Sequence, residues 1–193
     1  MIKRLTKDLA RATRLEDERG NALVELAFCL PLLMILAFGV IDFSQMIFDK
    51  QAMAGISRQG SDLASRTYNG DPTTLPSLVS GLVTQGASLN IGTNGRIILT
   101  VVADGIDSSG NLIKGDPIIE AQQLSSSGIS VTSKVGSAIG GAATMPSGVT
   151  ANVLDNGRTI YVTEVFYNYS PMTPVGNFLK KSLASTFYEA AYF

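Results

Sequence analysis

The chain has 193 residues, of which 45% are hydrophobic and only 16% charged, and its 15 Lys and Arg nearly balance its 16 Asp and Glu. It contains no His, no Trp and one Cys. The usual zinc sites, Ser-His or Cys-His nucleophile pairs and an internal disulfide are therefore excluded. The near-neutral charge gives no long-range field for nucleic acid, and so few charges indicate a membrane segment.

The N-terminal region changes abruptly from charged to apolar. Residues 1–20 carry six cations and four anions, and the run from Ala22 to Ile41 contains a single charge, Glu25. As a helix this run would span roughly 30 Å, the thickness of the hydrocarbon core of a bilayer. A cleaved secretory signal is the alternative, but its apolar run has about 7 to 15 residues and ends at a small-x-small site. The longer run here favours an uncleaved span at 22–41.

The distribution of Lys and Arg predicts the orientation of this span. Six cations precede it, and only Lys50 and Arg58 follow it before Gly60. By the positive-inside rule the N-terminus lies in the cytoplasm, and residues 43–193 lie on the far side of the membrane.

The helix is expected to continue beyond the membrane. No Pro interrupts the sequence after Ile41, and an apolar stripe recurs at helical spacing before the turn formers of 68–72. We predict one helix from about Asn21 to about Arg66, with a kink at Pro31, whose nitrogen cannot donate a backbone hydrogen bond. The predicted stripe consists of Met53, Ile56, Gly60 and Leu63.

Short motifs through this helix, and one near the C-terminus, form a recognisable set. The N-terminal motifs are Arg19-Gly20, Val24-Glu25, Leu30-Pro31-Leu32, Phe38-Gly39, Asp42-Phe43, Gln51-Ala52 and Arg58-Gln59-Gly60. The C-terminal one is the segment 160–175, with an x-Glu-Val-x-Tyr-x-Tyr pattern. Together they resemble TadE-like proteins, the minor pilins or pseudopilins of the tight adherence (Tad or Flp) pilus, which serves surface adhesion and biofilm formation.

The resemblance implies roles for three residues. A prepilin peptidase would cut between Gly20 and Asn21, and Glu25 would then dock the subunit by pairing with the new amine of a neighbour. The alternative is that Glu25 only marks the cytoplasmic boundary of the span and reaches the headgroups. A carboxylate inside a span costs about 2.5–3.5 kcal/mol unless it finds a partner or the interface.

The remainder of the chain predicts a small mixed domain. Residues 75–83 indicate a short helix, whereas 96–103 and 159–169 indicate strands, and the turn at 104–111 leads back into 112–120. The segment 182–193 fits a third strand or a helix, and the Gly- and Ser-rich region 105–148 allows one short strand near 129–135. The fold class is α+β, a long transmembrane helix packing on a small antiparallel sheet. Its expected divisions are a leader at 1–20, the helix at 21–67 and a periplasmic domain at 68–193.

No catalytic constellation emerges from this domain. Asp104, Asp107 and Asp116 allow a calcium loop, but Ile106 occupies a position that needs an acceptor, so a hairpin turn is favoured. Glu164 lies mid-strand, and a solvent-facing or interface carboxylate is favoured over a buried or functional one. We therefore expect no enzyme activity, no cofactor and no metal.

Three hypotheses for function follow. The first is a minor pilin in the bacterial inner membrane, incorporated into an extracellular pilus, with other pilins, the prepilin peptidase and the assembly platform as partners. The second is an unprocessed membrane-anchored assembly factor. The third is a periplasmic binding or adhesion module for which the helix is only a tether.

Overall fold

The computed structural model describes residues 2–106, 109, 111–146, 149, 154, 158–179 and 186–193, with the backbone alone at 2–19, 106, 112, 114 and 179. The chain divides into two compact units. The first comprises Met1–Ser44 with Pro171–Lys181, and the second comprises Gln45–Ser170 with Ser182–Phe193.

One helix, α1 (Ile2–Thr67), forms the N-terminal third of the chain. Its end near Arg66 is confirmed, but it begins at Ile2 rather than near Asn21. Residues 2–19 contain no Gly or Pro and are rich in strong helix formers, so the charged leader continues the helix. The helix also runs through Pro31. The kink expected at that residue stays a prediction.

The turn predicted at 68–72 follows α1. Gly70 adopts a φ of +89°, and the Asp71 carboxylate accepts a hydrogen bond from the Thr73 amide at 2.9 Å. This Asp side chain satisfies an amide that the following short 3-10 turn leaves free. The predicted short helix comes next as α2 (Leu75–Gln85), and the one-turn helix α3 (Ile91–Asn94) leads into the sheet.

A four-stranded antiparallel sheet forms the body of the second unit. Its order is β2-β1-β3-β4, so the two central strands are β1 and β3. The strands are β1 (Gly95–Ile106), β2 (Leu112–Leu124), β3 (Ile160–Asn168) and β4 (Thr186–Tyr192). The long helix followed by this sheet confirms the α+β class, and the C-terminal segment is a strand, not a helix.

The register shows how the strands are joined. Ile106 pairs with Leu112, which confirms the predicted hairpin between β1 and β2. Register shifts interrupt this ladder after Val101 and after Asp104, as is typical of β-bulges. Thr163 of β3 pairs with Ala191 of β4. These strands are rich in β-branched and aromatic residues, which suit a pleated, half-buried surface.

One face of the sheet packs on α2 and on the C-terminal half of α1. Met53, Ile56 and Gly60 of the predicted stripe are buried, but Leu63 is 43% exposed, and Ala64 is buried instead. The α1 face toward the sheet also contains Ser57 and Ser61. The small side chain of Ala64 fits against the sheet because the helix and the sheet approach closely. Val79, Leu82, Ile97, Leu99, Val165 and Tyr167 belong to the same core.

The opposite face of the sheet is covered by part of the loop-rich region. Val102, Ile119, Ile160 and Val162 form a second core with Val135, Ala143 and Leu154. Residues 129–135, all of them described, contain no strand, so the short strand that the sequence allows there does not form. The segment crosses the face of the sheet because the Lys134 amide donates to the Glu164 side chain at 2.8 Å instead of to a strand.

Candidate assembly segment

Apart from Glu25, the segment 22–41 of α1 is apolar around its whole circumference. Its exposed large apolar side chains are Leu23, Val24, Leu26, Phe28, Leu30, Leu32, Leu33, Met34, Ile35, Leu36, Val40 and Ile41. Within the described residues, α1 is the one helix that is long and apolar enough to cross a membrane. A helix that is hydrophobic all around needs either lipid or neighbouring protein to cover it.

The site residues predicted from the sequence lie along this helix without forming a cluster. Gly20, Asn21, Glu25 and Pro31 are all exposed on α1. Asn21 and Glu25 are four residues apart and therefore share a face, whereas Gly20 and Glu25 are separated by about 140°. Among the described residues no side chain forms an ion pair with Glu25. Nothing within the described part of the chain neutralises this carboxylate.

Asp42, the first residue beyond the apolar run, is buried in a cluster that the sequence did not reveal. Its Oδ1 accepts hydrogen bonds from the amides of Met172 and Thr173, each at 3.1 Å, and its Oδ2 accepts one from the Thr173 hydroxyl. The Gly176 amide in turn donates to the Thr173 hydroxyl at 3.1 Å. The carboxylate thus fastens the segment 171–179 to α1.

The segment held by Asp42 includes a short helix, α4 (Pro174–Leu179). A Cβ at Gly176 would lie 2.6 Å from the Pro171 Cβ and would collide with the Asp42 carboxylate, so only glycine fits there. Val175 of this helix lines a hollow with apolar residues of α1. Those residues are Ile35, Leu36, Gly39, Val40 and Phe43.

The comparison with known proteins concerns the same stretch of α1. Residues 20–62 match the family described as TadE-like protein. This segment is TadE-like. The resemblance inferred from the N-terminal motifs is thereby confirmed for this segment, whereas that of 160–175 stays a prediction. No curated protein and no solved structure matches the chain.

The TadE-like segment contains a second buried carboxylate, Asp49, in the unit that holds the sheet. Asp49 accepts a hydrogen bond from Gln45 Nε2 at 2.8 Å and another from the Tyr167 side chain. Burial raises the pKa of Asp49, although both hydrogen bonds oppose this effect. Burial also raises the pKa of Tyr167, and the nearby Asp49 charge raises it further. The tyrosine hydroxyl therefore stays protonated and remains a donor.

The C-terminal part of the TadE-like segment packs against β3 at unusually short range. A Cβ at Gly60 would lie 2.7 Å from both Thr163 Oγ1 and Cγ2 and 2.8 Å from Leu82 Cδ1. Ser61 accepts a hydrogen bond from the Thr163 amide at 3.0 Å and donates one to the Ala191 carbonyl at 2.9 Å. One hydroxyl of the helix thus joins two strands.

Beyond the TadE-like segment, Glu164 is fully buried, so the expectation that it faces solvent or an interface was wrong. It accepts hydrogen bonds from the Lys134 amide at 2.8 Å, the Tyr188 hydroxyl at 3.0 Å and the Ser133 hydroxyl. Burial is the main cause that raises the pKa of Tyr188, followed by the Glu164 charge. The alternation along β3 gave a signal, since Glu164 shares a face with the apolar Ile160 and Val162.

The aspartates of the β1–β2 hairpin do not form a three-ligand cluster among the described residues. Asp104 is buried, and its Oδ1 accepts a hydrogen bond from the Gly115 amide at 3.1 Å, which ties the two strands together. Asp107 lies outside the described residues. Asp116 lies beside Gly105, where a Cβ would be 3.2 Å from the Asp116 Oδ2. This hydrogen bond of Asp104 therefore joins the two strands of the hairpin.

Proposed function

We propose that the chain is a minor pilin or pseudopilin, a structural subunit in the assembly of a Tad-type pilus for surface adhesion. The observation that carries the proposal is the coincidence of the family match at 20–62 with the exposed apolar surface at 22–41. A subunit held by its N-terminal helix needs an apolar helix surface at two stages, in the membrane and in the fibre. Lipid covers it before assembly, and the helices of neighbouring pilins cover it in the fibre.

In this proposal the segment 22–41 spans the bacterial inner membrane once. Six Lys and Arg precede it, which supports a cytoplasmic N-terminus and a periplasmic sheet domain. A cysteine introduced at Thr93 in a Cys29-free background should therefore react with a reagent confined to the periplasm. Reaction only after the inner membrane is opened would reverse this orientation.

The leader is removed, in this proposal, by a prepilin peptidase that cuts between Gly20 and Asn21. That peptide bond lies inside α1, so the protease has to unwind the helix locally. Gly20 favours this step because glycine in a helix interior costs about 1 kcal/mol relative to alanine. A Cβ at Gly20 would meet no atom within 4 Å, so a bulky residue there changes the cleavage site without disturbing the described fold.

Glu25 acts after cleavage by accepting the new Asn21 ammonium of a neighbouring subunit. An unpaired charge in the apolar layer is costly, so this contact would favour one axial register between subunits. The amine of the same chain competes for Glu25 because Asn21 lies one helical turn away on the same face. Same-chain pairing would leave incorporation insensitive to Glu25, which makes the two cases distinguishable.

The decisive experiment expresses Gly20→Phe, Glu25→Ala and Glu25→Gln in the native host. Mass spectrometry gives each N-terminus, and sheared pili are probed for the protein. Gly20→Phe should retain residues 1–20. Both Glu25 variants should still be cut, at least in part, yet they should be absent from pili. If they are incorporated as well as the parent, Glu25 has no intersubunit role and marks only the boundary of the span.

The same measurements separate the other hypotheses. A parent chain that keeps residues 1–20 in its host would be an unprocessed membrane-anchored assembly factor. A chain that is processed but never enters pili would instead be a tethered periplasmic binding or adhesion module. The proposal includes no enzyme activity, no cofactor and no metal, so a chelator should leave the melting temperature unchanged. A fall of several degrees would revive the cation site at Asp104, Asp107 and Asp116.

A further inference from the structure

The segment Pro171–Leu179 combines a firm attachment to α1 with apolar side chains that nothing in the described chain covers. The Asp42 carboxylate holds its backbone through the amides of Met172 and Thr173, each at 3.1 Å. The Met172 side chain is nevertheless 71% exposed, and that of Phe178 is 82% exposed. An attached backbone with outward apolar side chains indicates that these side chains have a partner.

The position of the attachment identifies that partner. Val175 lines a hollow with Ile35, Leu36, Gly39, Val40 and Phe43. Most of these α1 residues lie inside the proposed span of 22–41, and Ile35 is about 9 Å from Ile41 along the helix axis. A segment that is bound to Asp42 and lines a hollow with the last two turns of a span must itself lie near the depth of those turns once the span is inserted.

The sequence that follows fits the same location. Lys180 and Lys181 come directly after the segment. Apolar residues followed by Lys are typical of protein segments that lie in the interface, with the cations at the level of anionic headgroups. The Asp42 contacts fit as well, because a buried carboxylate near the hydrocarbon layer is tolerated only when donors satisfy it.

We propose that Pro171–Leu179 is a membrane-interface foot, whose Met172 and Phe178 insert among the acyl chains of the leaflet on the side of the sheet domain. The foot rests on the proposed function, since it requires 22–41 to span the membrane. It adds a second membrane contact, more than 120 residues from the first in sequence, that the anchor alone does not require. The foot would have to leave the lipid, or exchange it for protein, when the subunit enters a fibre.

The test exploits the absence of Trp from the chain. Single Trp variants Phe178→Trp, Leu36→Trp and Ile139→Trp are made in the full chain and reconstituted into phosphatidylcholine and phosphatidylglycerol vesicles. Emission is measured with lipids that carry bromine near the glycerol end or near the methyl end of the acyl chain. Leu36→Trp reports the span, and Ile139→Trp, 68% exposed in the sheet unit, is the matched control for an exposed apolar site.

Interfacial segments are buried about 5–10 Å into the headgroup and acyl boundary, so Phe178→Trp should be quenched at least about twofold more by the shallow bromines than by the deep ones. Its emission should be blue-shifted, and Ile139→Trp should be unaffected by either lipid. Met172→Trp gives a second reporter on the same segment and should show the same quenching and blue shift, so the test stands even if Phe178→Trp misfolds.

Each other outcome contradicts the foot in a recognisable way. If Leu36→Trp is quenched while both segment variants behave like Ile139→Trp, the foot is wrong and the span stands. If Leu36→Trp is not quenched, residues 22–41 do not span the membrane, and the proposal of a foot is then wrong as well. If the segment variants are blue-shifted but not quenched, and the shift grows with protein density in the vesicle, another protein surface covers the segment.

Discussion

Gly60 lies at a close approach of α1 to β3, and its replacement tests that contact directly. In Gly60→Ala the new Cβ would lie 2.7 Å from two atoms of Thr163 and 2.8 Å from Leu82 Cδ1, whereas ordinary contact begins at 3.4 Å. The helix, the strand or the side chains of Thr163 and Leu82 must therefore shift by several tenths of an ångström. Overpacking of this kind costs typically about 1–3 kcal/mol.

The matched control is Gly55→Ala on the same helix, where a Cβ would meet no atom within 4 Å. Both substitutions gain the helix propensity of alanine, worth about 1 kcal/mol, so their difference isolates the overpacking. We expect Gly55→Ala to be neutral or stabilising and Gly60→Ala to be less stable than it by about 1–3 kcal/mol. For a chain of this size that corresponds to roughly 2–4 °C of melting temperature per kcal/mol.

The assay is thermal unfolding of the full chain in detergent, followed by tyrosine fluorescence. All six tyrosines lie in the sheet unit and the chain has no Trp, so the signal reports that unit without interference from the apolar segment. Thr163→Ala removes two of the three close atoms, and it should therefore reduce the cost of Gly60→Ala when the two are combined. Equal melting temperatures for Gly60→Ala and Gly55→Ala would refute the close approach of helix and sheet.

Three further substitutions address buried polar groups in the same unit, each measured by the same unfolding assay. Folding raises the pKa of Asp49 above 3.8, so the free energy of unfolding should fall as the pH rises from 3.8 through the folded pKa. Asp49→Asn cannot ionise, so it should remove this pH dependence and should unfold at a higher temperature than the parent at neutral pH. Glu164→Gln presents an NH2 group to donors that now meet a carboxylate, so it should cost about 1–3 kcal/mol, and an unchanged melting temperature would contradict the burial of Glu164. Thr163 Oγ1 is buried without a hydrogen-bond partner among the described residues, so Thr163→Val should raise stability by about 1 kcal/mol, and a loss of similar size would reveal a partner.

The sequence predicted the elements whose signals are local. Clusters of β-branched residues marked β1 and β3, and the Asp-, Gly- and Ser-rich turn marked β2 as the hairpin partner of β1. The end of α1 was readable because turn formers and a Pro follow it. Its start was not, because the leader consists of helix-forming residues and carries no stop signal before Gly20.

The errors concern packing distance and competition between segments. Leu63 and Ala64 both continue the spacing from Gly60, and hydrophobicity alone selects Leu63. The structure selects Ala64 because Ser57, Gly60 and Ser61 bring the helix too close to the sheet for a larger side chain. Similarly, 129–135 alternates like a strand, but its amides at Lys134 and Val135 donate to side chains of Glu164 and Ser133 instead of to a neighbouring strand.

The acidic residues of α1 show why part of the candidate site was readable and part was not. Asp42 is satisfied by residues 130 and 131 positions away, a pairing that no local pattern reveals. Asp49 is satisfied by Gln45 one turn before it and by Tyr167 of β3. Glu25 differs from both because it is exposed and no described side chain pairs with it. The folded chain supplies donors to the other two carboxylates and none to Glu25, which is why the proposal gives Glu25, and neither aspartate, the contact with the amine of a neighbouring subunit, with the headgroup layer as the alternative.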